Sequence, residues 1–425
     1  MFKWRNTRRF AIVSGVTLTA FLLTGCGSGS GTPGSQAASS TTINDKPATG
    51  QLNIWAQAAE AEALPKFAAE FMKLNPGLKI NVTPLPWGAA FSKYQTAIAS
   101  GTTPDMAQMG TTWMPNFADS FAPVPKGIDT SSFFPGTLKV VQVNGKTVGV
   151  PWVADLRAFF YRKDLAEKAG YTEFPKTWAG FKTFAKDLQT KAGAKWGAFL
   201  TVSSMQDMLV FPYSAGAHLT NANQTKWTFD TPQMIKAMTF YKSLFTDGIA
   251  NPNPDTTVSS EAAFVNGTIP VLIGGSQEIA TIEAAGGGAS YRDKIGVGLV
   301  PADTSSTSFL GGSDLAVFKN AKNADAAWKF TRWLSTPAVQ VKWQQAVGDL
   351  PTVEAAWNDP SLKNDPLMKV FGEQLKSTDS PPSLTTWTEV SADADTAVEQ
   401  IVRGGGSPAA VLKNLQSKAD SIGTK

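Results

Sequence analysis

Apolar and polar positions alternate and recur along the chain in a pattern that predicts strand, helix, strand, helix, strand over its first folded stretch. Gln51-Leu52-Asn53-Ile54-Trp55 reads as a strand. Leu64, Phe67, Ala68, Phe71 and Met72 then return at spacings of three and four, which puts them on one face of a helix. Asn75-Pro76-Gly77 stops that helix. Lys79-Ile80-Asn81-Val82-Thr83 alternates as a second strand. A helix over roughly 89–100 carries Phe91, Tyr94 and Ile98, Gly101-Thr102-Thr103-Pro104 ends it, and Asp105-Met106-Ala107-Gln108-Met109 follows as a third strand. Such an order predicts an α/β fold with a mainly parallel sheet covered by helices.

Further on, Val140–Val143 and Lys146–Val150 flank Asn144-Gly145, the strongest hairpin signal in the chain. Helical spacing dominates afterwards, over Lys163–Ala169, Trp178–Thr190, Pro232–Phe245, Ala324–Leu334 and Ala338–Val347. Thr268–Gly275 reads as a buried strand ending in a tight turn, and Ile295–Val300, closed by Pro301, as another. With 425 residues the chain exceeds what one core usually holds, so two lobes are expected.

The first residues have a different character. Lys3, Arg5, Arg8 and Arg9 precede an uncharged apolar run from Phe10 to Leu23, shorter than the about 20 residues that a membrane helix needs and suited to a secretory signal. Leu23-Thr24-Gly25-Cys26 closes the run with the only cysteine of the chain, and it resembles a bacterial lipobox. That resemblance implies removal of residues 1–25, lipid on Cys26, and a protein held on the extracellular face of the cytoplasmic membrane. Residues 26–50 are rich in small polar side chains and are expected to form a flexible tether, with the folded body starting near Gln51.

Composition narrows the chemistry. One Cys and one His exclude a disulfide framework and a Cys/His zinc site. His218, among small and apolar neighbours, reads as a structural histidine. The formal charge of +4 comes from the four cations of the first nine residues; without them 34 Lys+Arg face 34 Asp+Glu. A neutral body argues against nucleic acid as the partner. Asn144-Gly145-Lys146-Thr147 ends like a phosphate loop, but Val140 stands where its first glycine belongs. No cofactor or metal is implied. Tryptophan is the outstanding residue, 13 in all, with Trp4 alone ahead of Cys26. Indole faces suit the C–H faces of sugar rings, while carboxylates and amides bond the hydroxyls. Trp55, Trp87, Trp113, Trp152 and Trp387 lie in or beside loops, where an open α/β sheet receives ligands.

Several segments resemble the sugar-type extracellular solute-binding proteins of bacterial ABC importers. Phe67–Pro76 with Ala99–Asp105 matches the family's opening. Val150-Pro151-Trp152, Phe160–Leu165 and Pro175–Trp178 form the most specific run. Gly311–Phe318, Ala326–Phe330, Ser335-Thr336-Pro337, Gly348-Asp349-Leu350-Pro351 and Gly404–Pro408 continue it. The resemblance implies two α/β lobes of the periplasmic-binding-protein type (type II) with the ligand in the cleft between them, the first from 51–152 plus 275–312 and the second from 153–274 plus 313–425. Crossings are expected near Pro151–Asp155, Ile273–Ser276 and Gly311–Asp314. By the same likeness, ligand contacts are expected from Gln57, Glu60, Trp87, Thr112, Trp113, Trp152, Asp155, Arg157, Ser276, Gln277, Gly312, Ser313 and Trp387. The implied partners are a sugar or oligosaccharide, a membrane permease and the membrane itself through Cys26, with the protein a monomer and not an enzyme. An extracellular carbohydrate-processing enzyme, and a binder of another solute such as a glycerol phosphate, are the alternatives that the residues leave open.

Overall fold

The computed structural model describes residues 42–255 and 257–425. Twelve strands are found among them: β1 (Gly50–Gln57), β2 (Leu78–Leu85), β3 (Met106–Gly110), β4 (Gln142–Val143), β5 (Lys146–Thr147), β6 (Val150–Leu156), β7 (Ala158–Arg162), β8 (Val271–Gly274), β9 (Ile295–Gly298), β10 (Ser308–Val317), β11 (Leu350–Pro351) and β12 (Thr378–Asp379). The opening alternation follows the sequence closely. Helix α1 (Ala58–Leu74) buries Leu64, Phe67, Ala68 and Phe71 and stops at Asn75. Helix α2 (Trp87–Ser100) is capped by Gly101, whose φ of 69° lets its N–H reach Ala97 and Ile98. Asn144 and Gly145 both have positive φ in the β4–β5 hairpin.

The larger sheet runs β11-β6-β10-β3-β1-β2, with β12 beside β10. Strands β1, β2 and β3 are parallel, and β10 is antiparallel to both β3 and β6. The smaller sheet is antiparallel, in the order β8-β7-β9. Leu52, Ile54, Leu64 and Phe67 on one side of the large sheet pack with Trp328, Phe330 and Trp343 of the helices Ala324–Leu334 and Pro337–Val347. The second half holds Phe181, Phe184, Phe211, Tyr241 and Trp387 in its own core. Each such side chain, fully buried, contributes about 1.5–3 kcal/mol or more.

The halves are assembled differently from the expected boundaries. Strand β6 passes into β7 with Arg157 alone between them, so the first crossing is one continuous extended run. No crossing occurs at Ile273–Ser276, because the turn after β8 leads into the helix Glu278–Ala285, whose Ile279 and Ile282 pack with Phe160 and Leu272. Segment 275–312 was expected in the first lobe, yet its β9 pairs with β7 in the small sheet. Conversely, residues 313–347, expected in the second lobe, belong to the large-sheet half, since β10 lies between β3 and β6 there. The chain returns through β10 and leaves again after β11, whose Leu350 pairs with Ala154. The tether also ends earlier than Gln51. Thr42 bridges Lys126, Ile43 and Ala48 are buried, and the Ala48 N–H donates to Asn75 Oδ1 at 2.7 Å. The signal segment, Cys26 and the rest of the expected tether lie outside the described residues.

Candidate functional site

The parallel strands of the large sheet end together on one edge, and the residues just past those ends build the walls of a cleft. Strand β1 ends at Gln57 and α1 begins at once, which puts Glu60 in its first turn. Strand β3 ends at Gly110, and the turn Thr111–Trp113 follows. A Cβ on Gly110 would stand 3.2 Å from the Trp113 ring and 3.5 Å from Trp87, so the bare backbone is what allows both indoles to close over this strand end. Trp87 and Trp113 meet edge to face, with centroids 5.1 Å apart and planes at 66°. Strand β6 supplies Val153 and Asp155, and β10 supplies Gly311, Gly312 and Ser313. Asp349 comes from the turn before β11, Phe309 from the start of β10, and Gln206 and Gln277 reach in from the side of the small sheet. Together they enclose about 440 Å³.

A buried amide relay holds these groups. The Gln57 N–H donates to Gln108 Oε1 at 2.7 Å, and the Gln57 amide donates to the Tyr94 hydroxyl. Gln108 Nε2 in turn donates to Glu60 Oε1 at 3.1 Å and to Ser313 Oγ at 3.0 Å, so one residue of β3 ties the loop after β1 to β10. Arg157 donates through Nη1 to both oxygens of Asp155, at 2.8 and 2.7 Å, and through Nη2 to Asp207 at 3.2 Å. Its guanidinium lies 5.3 Å from the Phe309 ring centroid. Asp349 accepts from Trp343 Nε1 at 3.0 Å and from Gln277 Nε2 at 3.1 Å, and Ser276 Oγ donates to the Gly348 carbonyl at 2.6 Å. These last two contacts join the two halves across the floor.

Electrostatically the cleft is acidic. Burial first, and then the Asp349 carboxylate, push Glu60 up to about 7, with a smaller contribution from Asp155 and partial compensation from Gln108. Burial also raises Asp349, against the hydrogen bonds from Trp343 and Gln277. Among the described residues no three His, Cys, Asp or Glu come together in a way that would hold a metal ion. His218 is exposed, bonded through Nδ1 to Asp379 at 2.8 Å, and away from the cleft.

Of the residues singled out from the sequence, Glu60, Trp87, Thr112, Trp113, Asp155, Gln277, Gly312 and Ser313 share this cleft. Arg157 lines an adjoining cavity of about 370 Å³ that has Asp155 and Gln277 in common with it. Four do not line it. Gln57 is fully buried beneath it, and Ser276 faces Gly348. Trp152 is 1% exposed and packs in the core with its centroid 4.5 Å from that of Trp343 and the planes tilted by 47°, at the point where the register of β6 against β10 shifts and leaves Trp152 without a partner on β10. Trp387 is buried in the second half beside Trp227. Sequence reasoning did not single out Gln108, Gln206 or Phe309. Asp349 lies in the run Gly348-Asp349-Leu350-Pro351 and is not among the contacts that the resemblance implies.

Among the described residues no helix is long and apolar enough to cross a membrane. The family model for bacterial extracellular solute-binding proteins matches residues 66–370. The sugar-binding protein MalE of the phytopathogen Xanthomonas citri superimposes with a TM-score of 0.83 at 31% identity, covering 88% of this chain and 97% of that one. The maltotriose-binding protein of Pyrococcus abyssi is 23% identical over 386 residues, 87% of this chain and 82% of its own length. The diacetylchitobiose binding protein DasA of Streptomyces coelicolor is 24% identical over 344 residues, 78% of this chain and 80% of its own.

Proposed function

This chain belongs to the bacterial extracellular solute-binding proteins, and from that premise we propose that it captures a sugar or oligosaccharide between its lobes and delivers it unchanged to the permease of an ABC importer. The observation that carries the reading is the composition of the cleft: a tryptophan pair beside carboxylates and amides drawn from both halves. Indole faces cover the apolar faces of a pyranose, and Glu60, Asp155 and Asp349 accept hydrogen bonds from its hydroxyls in charge-assisted fashion. Contacts from Glu60, Trp113 and Asp349 on one half and from Gln206 and Gln277 on the other would all be made to one solute held between the halves. Ligand therefore favours the closed arrangement. A glycerol phosphate fits less well, since Arg157, the one cation at the cleft among the described residues, is already held by Asp155 and Asp207.

A thermal-shift screen against mono- and oligosaccharides tests the reading, because a ligand bound by the folded state alone raises the melting temperature. A saccharide that raises it and is recovered intact supports transport. One observation favours a second reading, a glycoside-processing enzyme: a carboxyl with a pKa near 7, as at Glu60, suits a general acid. Release of new reducing ends from an oligosaccharide would establish that alternative. The lipid on Cys26 and the resulting hold on the membrane are part of the same proposal. Mass spectrometry of the mature amino terminus, with loss of the protein to the medium in Cys26→Ser, tests them.

A further inference from the structure

The cleft and the cavity beside it share Asp155 and Gln277 and form one continuous trough. Five carboxylates line it: Glu60, Asp155, Asp207, Glu278 and Asp349. Against them stands Arg157, already shared between Asp155 and Asp207. This imbalance is local, because beyond residue 25 the chain has as many cations as anions. Glu60, Glu278 and Asp349 make no ion pair among the described residues. Asp349 at least has a neutral donor on each oxygen. Glu60 is more than nine-tenths buried and lines the cleft, yet only its Oε1 receives a donor from another described residue. Burying a carboxylate without a counter-charge is expensive, and nearby carboxylates add to the expense.

We infer that the solute carries a basic nitrogen: the trough is built for an amine-bearing saccharide in preference to a neutral one, and it turns acidic saccharides away. This rests on the saccharide reading and specifies its ligand class. A ligand ammonium beside Glu60 supplies the missing donor and the missing charge together, and the Trp87 and Trp113 faces suit a cation as well as a C–H surface. A uronate or phosphate would instead meet the carboxylates with only a committed arginine to answer it. The raised pKa of Glu60, set by burial and by Asp349, is what an acid awaiting such a partner shows.

Titration calorimetry at neutral pH and low salt, with maltotriose and the trimers of glucosamine, N-acetylglucosamine and galacturonic acid, tests the inference. The glucosamine trimer should bind at least about tenfold more tightly than the two neutral trimers, with the advantage shrinking as salt is added, and the galacturonate trimer should not bind. A neutral or acidic trimer binding as well as the glucosamine trimer overturns the amine preference and leaves the saccharide reading standing. No binding by any trimer, in a protein that unfolds cooperatively, overturns both. Glu60→Gln should lower the ratio of glucosamine-trimer to maltotriose affinity by about tenfold, and Asp207→Asn, at a half-exposed side chain already paired with Arg157, should lower it less. A ratio unchanged in both folded variants removes the carboxylates as its cause.

Discussion

Glu60 and Asp155 face the same cleft under opposite electrostatic conditions. Asp155 has Arg157 on both its oxygens, whereas Glu60 has burial and Asp349 opposing its ionisation and is pushed up to about 7. The folded chain therefore keeps a proton at Glu60 that the unfolded chain releases, so the stability that Glu60 contributes is greatest below its ordinary value of 4.5 and declines as pH rises to about 7. The decline is on the order of 3 kcal/mol, and Glu60→Gln should flatten it in urea unfolding measured across that range. Asp314 is 1% exposed with Oδ2 unpartnered, and burial raises it well above the carboxylate range. Asp314→Asn should accordingly stabilise the protein at alkaline pH, measured the same way. Asp155→Ala should weaken ligand binding by about 1–3 kcal/mol, and an unchanged dissociation constant would take Asp155 out of the site. Acidic and aromatic residues past strand ends were legible as cleft residues, as Glu60, Trp113 and Asp155 illustrate. Trp152 was not, because its direction depends on how β6 packs and on a register shift against β10 beside it, neither of which the local sequence announces. Gln108, Gln206 and Asp349 arrive through long-range packing that no local pattern announces.

Strand β10 concentrates much of the architecture in ten residues. It pairs with β3 and β6 at once, shifts register between Ser313 and Asp314, and turns through Gly312 at a φ of 125°. A Cβ there would lie 2.1 Å from the Val153 carbonyl, so Gly312→Ala should destabilise the fold by well over about 1 kcal/mol in denaturant melts. Trp152→Ala should lose about 3–5 kcal/mol of stability, as expected for a core side chain, whereas Trp87→Ala, at 37% exposure, should weaken saccharide binding with little change in melting temperature. Strongly periodic helices were legible almost to the residue at Trp178–Thr190 and Ala324–Leu334, and α2 to within two residues, whereas the Asn144-Gly145 hairpin has its turn where expected but strands of only two residues each, since Val140 ends the helix Pro135–Val140 and Val150 opens β6. The alternation that betrays a strand is missing from β6 and β7, where nearly every residue is buried. Carboxy-terminal helices such as Trp387–Val402 carry alanines on their buried face, which weakens the contrast that periodicity depends on.

At the scale of the whole molecule, the two-lobed α/β plan was readable from order and length, and the lobe boundaries were not. A Gly-Gly turn such as Gly274-Gly275 looks the same whether it ends a lobe or merely reverses the chain within one, and only the pairing of β9 with β7 decides between them. Closure on ligand should reduce the radius of gyration in small-angle scattering with the saccharide that gives the largest thermal shift, and an unchanged radius would argue for a rigid receptor. Residues 311–313, on which a solute would rest, belong to the very strand that carries the chain back between the halves. Cargo thus presses near the fulcrum rather than at the tips. If the halves do close, a small adjustment under a sugar ring would become a wide swing at the outer rims, where a membrane partner would sense that the receptor is loaded.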